Sequence, residues 1–211
     1  MECNGVKGGE QMSAFDLVFA LFGLLLGLAL CEVLAGFARV LKLKRGARPV
    51  RIGWLTPLLG LFVMQDLTSF WGIAFMARDQ MDASNLTLVT VLAITGGYYL
   101  VASLIFPDDP AYWPDFDLWY DRQNRMVVGG LLTINIATMI GTTILDTLHP
   151  MPEAPAGPAG EIGFLIYGLS ALALFLLLIA LLFVNNRRWN VAMLVALNLI
   201  LLGGSILEDF I

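Results

Sequence analysis

Charged residues are scarce in this chain. They make up only 14% of its 211 residues, whereas hydrophobic residues make up 58%. A soluble domain usually carries about 25% charged residues, which cover its surface and keep it in solution. The mean hydropathy of +0.79 is also typical of a membrane protein. The composition therefore excludes an ordinary soluble globular protein and predicts an all-α, polytopic membrane protein.

Histidine and cysteine are also nearly absent. The chain has one histidine, His149, and two cysteines, Cys3 in the N-terminal tail and Cys31 inside the first apolar segment. Zinc and haem sites need clustered His or Cys ligands, so a site of either kind built from this chain alone is not expected. The sequence predicts no metal, no cofactor and no binding of nucleic acid.

Six long apolar segments are present, and we predict one transmembrane domain over residues 1–211. The predicted spans are 15–40, 52–77, 86–106, 126–148, 162–184 and 191–207. Residues 42–51 form the only concentrated basic loop, and such loops face the cytoplasm. With that loop inside, ten of the twelve Lys and Arg residues are cytoplasmic. Both termini are then predicted to be extracytoplasmic.

The loop 107–125 mixes five aspartates with aromatic residues. Trp113, Phe116 and Tyr120 share one helical face, which predicts a short cytoplasmic interfacial helix whose rings lie among the lipid headgroups. The alternative is a vestibule that concentrates cations, because five carboxylates raise the local cation concentration.

One predicted span carries a polar stripe. Asn135, Thr138, Thr142 and Asp146 recur at steps of three, four and four, so they lie on one helical face over about 16 Å. In a bilayer such a face must contact protein or water. We therefore expect this stripe to be covered by the other helices.

Other spans contain isolated polar residues. Asp66 lies midway along the second span, next to Gln65, and is the deepest acid in the chain. A carboxyl group at that depth costs about 2.5–3.5 kcal/mol on insertion scales, so it needs a partner, a proton or water. Glu32 precedes Arg39 by two helical turns, which predicts an ion pair. Asn198, with Ser205 and Asp209, repeats the spacing of the polar stripe, so the two stripes could face each other.

The first span contains a Gly-x-x-x-Gly pattern at Gly23 and Gly27, which lets a second helix approach closely. We expect packing inside the fold, with a contact between two copies as the alternative. Polar and small residues favour an inner bundle of spans one, two, four and six. Span three is ambiguous, because residues 96–99, Gly-Gly-Tyr-Tyr, fit either a close helix contact or an aromatic girdle at the membrane interface. Span five, which has few polar residues, is expected at the lipid-exposed periphery.

A resemblance can be stated on short motifs in the first half of the chain. Phe15-Asp16, the Gly-Leu-rich first span, the basic loop and Phe106-Pro107-Asp108 resemble a group of small bacterial multi-spanning inner-membrane proteins of uncharacterised activity. The resemblance implies a bacterial inner-membrane location. It implies no activity and no functional residue.

Three functions fit these patterns. The first is a channel or transporter for protons or small cations, with Asp66, Gln65, Asn135, Thr138, Thr142, Asp146, Glu32 and Asn198 along its pathway. The second is a non-catalytic scaffold, sensor or subunit, in which the same residues form interhelical hydrogen bonds. The third is an intramembrane enzyme that uses Asp66 and Asp146 as a carboxyl pair sharing one proton. We expect no catalytic residues, a lipid bilayer as the main partner and a possible homo-oligomer.

Overall fold

The computed structural model describes residues 14–45, 51–81, 84–109, 113, 115–150 and 158–208. This part of the chain is helical, with six α-helices and one 3-10 turn. The helices are α1 Ala14–Lys44, α2 Leu55–Met76, α3 Asn85–Ile105, α4 Phe116–Leu148, α5 Pro158–Phe183 and α6 Arg187–Glu208. All six are long and apolar enough to cross a membrane, as the sequence predicts.

Local sequence signals fix several helix ends. Ser84 caps α3, since its hydroxyl accepts a hydrogen bond from the Thr87 amide at 3.2 Å. Asp115 caps α4 in the same way, with its carboxylate 2.9 Å from the Asp117 amide. The extended residue Phe106 ends α3, because the following proline disfavours helical backbone at that position.

The fourth helix is longer than predicted. It begins at Phe116 and runs for 33 residues, so the second half of the 107–125 loop belongs to α4. Within the described residues, no interfacial helix separate from α4 is present. Phe116 and Tyr120, two of the three aromatic residues predicted to anchor it, are buried against the other helices. Their burial shows that these rings pack inside the bundle and do not lie at its surface.

The second helix is the central element. It packs against α1, α3, α4 and α6, while α5 packs against α4 and α6. The peripheral position predicted for α5 is confirmed, since it is the least buried of the six spans. The structure resolves the ambiguous third span, because α3 packs closely against both α1 and α4. Tyr98, Val101, Ala102 and Ile105 give α3 a buried face that its few polar residues did not reveal.

Phe106 joins α1 to the end of α3. Its ring lies directly against Gly36, where an added Cβ would overlap it. It also meets the Phe37 ring edge to face, with the centroids 5.2 Å apart. Glycine at position 36 thus lets the two helices approach closely.

Arginine side chains gather at one end of the bundle, which we call the basic end. Arg187 at the start of α6 is paired with Asp121 of α4, with Nε 3.0 Å from the carboxylate. The Phe116 amide donates to the Arg51 carbonyl at 3.1 Å. At the end of α3, the Ile105 carbonyl accepts from the Trp119 indole at 3.1 Å. These contacts bring together the end of α3 and the starts of α2, α4 and α6.

Candidate functional site: a buried polar centre

Asp66 lies near the middle of α2 and is only 3% exposed. Its Oδ2 atom accepts two hydrogen bonds from two other helices. The Tyr98 hydroxyl of α3 donates at 3.0 Å and the Asn135 amide of α4 donates at 3.1 Å. One carboxylate oxygen therefore joins three membrane-spanning helices. We call Asp66, Tyr98 and Asn135 the polar centre.

Tyr98 was not among the residues that the sequence singled out for this site. It is 1% exposed, and its ring packs on Phe70 of α2 with centroids 5.2 Å apart. The sequence held a signal for the buried face of α3, because Thr95, Tyr98 and Ala102 are spaced by three and four residues and so share one face of the helix. All three are buried in the structure. The neighbouring Tyr99 is 41% exposed and points away from this face.

Asn135 is half-buried, and its side-chain amide has two acceptors. Besides Asp66, it donates to the Leu131 carbonyl of its own helix at 3.0 Å. This second bond fixes the direction of the amide group towards α2. The sequence correctly placed Asn135 on the covered face of α4.

The remaining stripe residues on α4 make more local contacts. The hydroxyls of Thr138 and Thr142 donate to carbonyls of α4 itself, at 2.9 and 3.0 Å. Hydroxyls bonded to their own helix need no ligand. Asp146 is exposed, and its Oδ1 accepts from the Gln80 amide at 2.9 Å. The stripe therefore meets α2 at Asn135 and the turn after α2 at Asp146.

Gln80 is a second residue that the sequence analysis missed. It is buried to 8% exposure and also donates to the His149 carbonyl at 2.7 Å. It joins the turn that follows α2 to the end of α4, opposite the basic end. Its position after a 3-10 turn gave no periodic signal that could have identified it.

Three other predicted site residues lie apart from the polar centre's hydrogen bonds. Glu32 pairs with Arg39 within α1 at 3.3 Å, so the predicted ion pair is confirmed as intrahelical. Asn198 donates to the Leu58 carbonyl of α2 at 3.2 Å and to the Leu194 carbonyl at 2.7 Å. Asn198 therefore faces α2 and does not face the polar stripe of α4. Ser205 donates to the Leu201 carbonyl of its own helix, and Asp209 lies outside the described residues.

Gln65 is next to Asp66 in sequence, but the two described side chains form no hydrogen bond with each other. The side-chain oxygen of Gln65 is buried, and no described residue donates to it. Adjacent helical residues point about 100° apart, which explains why Gln65 does not share the polar centre.

The two glycines of the first span do not form a close contact in the described structure. No described atom of another helix lies within 4 Å of the Cβ position at Gly23 or Gly27. The expected packing inside the fold is therefore not seen there. The alternative, a contact between two copies of the chain, stays a hypothesis.

Two open clefts lie on the surface of the bundle. One, of about 310 Å³, is at the basic end between the starts of α2 and α6, and the other, of about 420 Å³, is between α3 and α4. Neither is lined by Asp66, Asn135 or Thr142. A transport pathway through the polar centre would need a polar cavity shared by those three residues, so neither cleft provides one.

The predicted carboxyl pair of Asp66 and Asp146 does not form. Asp66 bonds to Asn135, whereas Asp146 is 11 residues further along α4, or about 16 Å at 1.5 Å per residue. Two carboxyl groups at that separation cannot share a proton. Among the described residues, no three His, Cys, Asp or Glu side chains come close enough to hold a metal ion.

Comparisons with known proteins give no further guide. No family model matches the chain, and neither a curated protein nor a solved structure matches it.

Proposed function

We propose that this protein is a non-catalytic multi-pass membrane component whose polar centre holds α2, α3 and α4 in a fixed arrangement. The observation that carries the proposal is that two donors from separate helices converge on one buried oxygen of Asp66. A scaffold, sensor or subunit needs such fixed helix positions and needs no pathway across the membrane.

The energetics of the bilayer support this role. A carboxyl group in mid-membrane is costly unless protein groups satisfy it, and hydrogen bonds between membrane helices contribute about 0.6–2 kcal/mol each. Tyr98 and Asn135 both donate to Oδ2 of Asp66. Thr138 and Thr142, which would have to carry a pathway onward, are already bonded to their own helix.

The experiment contrasts two substitutions at Asp66. Asp66→Asn keeps an oxygen that can accept from Tyr98 and Asn135, whereas Asp66→Leu keeps none. The proposal predicts near-native unfolding in mixed micelles for the Asn variant and a loss of about 1–3 kcal/mol for the Leu variant. Asp146→Asn and Asp146→Leu are the control pair. Because Asp146 is exposed, their free energies of unfolding should differ by less than those of the two Asp66 variants. Equal stability of the two Asp66 variants would contradict the proposal.

We place the protein in a bacterial inner membrane with the basic end in the cytoplasm and both termini outside. The support is the concentration of Lys and Arg at one end and the positive-inside rule. The first turns of α4 then lie at the cytoplasmic headgroup layer. A single cysteine placed at Arg45, with Cys3 and Cys31 replaced, should react with an impermeant reagent only after the membrane is opened. Labelling of intact cells would reverse the orientation.

A second candidate is a pathway for protons or small cations. It is favoured by the face of α4 that runs from Asn135 past Thr138 and Thr142 to Asp146, which meets α2 at Asn135 and the turn after α2 at Asp146. Such a pathway requires Asp66 to bind and release a proton reversibly. Infrared spectra would then contain a titrating carboxyl band that is missing in Asp66→Asn, and a carboxyl band that never titrates would argue against this candidate.

A further inference from the structure

An apolar groove runs between α3 and α4 on the outer surface of the bundle. It encloses about 420 Å³, and its lining is almost entirely hydrocarbon. The buried side chains Val101 and Ile134 form its floor, while the exposed Leu100 and Met126 form its rims. Because α3 and α4 are membrane spans, this groove faces lipid.

Glycines create the groove. A Cβ on Gly130 would lie 2.6 Å from Val101, and a Cβ on Gly97 would lie 3.2 Å from Ile134, so only glycine lets the two helices pack this closely. The small side chains beside these glycines, including Ala93 and Ala137, leave the groove unfilled. The groove is therefore built into the helix contact.

Its length matches one leaflet of a bilayer. The lining residues extend over positions 93–104 on α3 and 126–137 on α4, which is about 16 Å on each helix. Half of a hydrocarbon core of about 30 Å is about 15 Å. The groove thus runs from the middle of the membrane to the basic end, as one acyl chain does.

A cation lies at the mouth of the groove. Arg122 is one turn before Met126 on the same face of α4, and its guanidinium lies 5.5 Å from the centre of the Trp113 ring. Among the described residues, Arg122 forms no ion pair. Trp113 meets Trp119 edge to face at 5.0 Å, and Trp119 donates to the end of α3. Arginine with tryptophan is the pairing found where protein meets lipid headgroups.

We propose that this groove binds one anionic phospholipid of the leaflet at the basic end, with an acyl chain along α3 and α4 and its phosphate at Arg122. The apolar groove and the Arg122 guanidinium together match the acyl chain and the phosphate of such a molecule. This site is independent of the polar centre and does not require the proposed function to hold. It also differs from the general attraction of basic loops for anionic lipid, because it needs the groove.

The test is native mass spectrometry of the full chain after incubation with equal amounts of phosphatidylglycerol and phosphatidylcholine of the same acyl chains. The native protein should retain one phospholipid, with about a fivefold preference for phosphatidylglycerol. Arg122→Gln should lower that preference to about one. Arg125→Gln is the matched control, because the Arg125 guanidinium donates to Asn185 after the end of α5, and it should keep the preference.

Filling the groove tests the acyl-chain part. Thr133→Phe places a ring in the groove and should reduce retention of both lipids at least about fivefold. Thr143→Phe is the matched control, because both threonines are exposed and donate to the carbonyl four residues earlier in α4. If Thr133→Phe does not fold, Ala137→Leu fills the same groove.

Several outcomes would overturn the proposal. Equal retention in the groove-filled variant and its control would show that the bound lipid lies elsewhere. Retention of an apolar molecule without a phosphate, lost on Thr133→Phe, would assign the groove to another ligand. A change from dimer to monomer on Thr133→Phe, measured by light scattering, would assign it to a second copy of the chain.

Discussion

Replacing Tyr98 by phenylalanine tests the polar centre at a single atom. The substitution removes the hydroxyl that donates to Asp66 at 3.0 Å but keeps the ring that packs on Phe70. A hydrogen bond to a charged group contributes about 1.5–3 kcal/mol, whereas those measured between membrane helices average about 0.6. Because Asp66 keeps its bond from Asn135, we expect a loss of about 1–2 kcal/mol in the free energy of unfolding.

The assay is reversible unfolding in mixed micelles, with helix content followed by circular dichroism. Tyr99→Phe is the control, because Tyr99 is the neighbouring residue and is 41% exposed. It should change the free energy of unfolding by less than about 0.5 kcal/mol. In a double-mutant cycle, Tyr98→Phe should also couple to Asp66→Leu. Equal effects of the two tyrosine substitutions, or no coupling, would refute the role assigned to Asp66.

Two further predictions concern other contacts of α4. Gly130→Ala should destabilise the bundle by about 1–3 kcal/mol, because its Cβ would lie 2.6 Å from Val101. Gly129→Ala, which meets no atom nearer than 4.0 Å, should be nearly neutral, and a similar loss in both would contradict the close α3–α4 contact. Gln80→Met keeps the side-chain volume but removes the amide contact with both Asp146 and the His149 carbonyl, so thermal unfolding should show a loss of about 1 kcal/mol. An unchanged melting temperature would mean that this contact does not stabilise the end of α4.

Much of the fold follows from the sequence, because the bilayer limits what an apolar segment can do. Six apolar stretches of sufficient length predict six helices, and the structure has them. The covered position of Asn135 on α4 was also predictable, since polar groups in lipid must turn towards protein, whereas Asp146 at the other end of the stripe is exposed. Asn135 reaches Asp66 as that rule requires.

The identity of the partners could not be predicted. Apolar residues fill both lipid-facing and protein-facing sides of these helices, so hydropathy does not show which side of α3 is buried. Tyr98 and Tyr99 are the same residue type in adjacent positions, yet one is buried and the other is exposed. Likewise, the spacing of Asn198 identified its face of α6 but not α2 as the neighbour that covers it.

Flux across a sealed membrane tests the central claim most directly. The full chain is reconstituted in liposomes that contain a pH-sensitive dye, and a pH gradient is applied. A potassium ionophore is added so that no membrane potential builds up and stops the proton flux. If Asp66 only joins helices, liposomes with the native protein and with Asp66→Asn should both leak protons at the rate of empty liposomes. Proton flux through the native protein that Asp66→Asn abolishes, with both proteins equally folded, would contradict the account and establish a pathway through the polar centre.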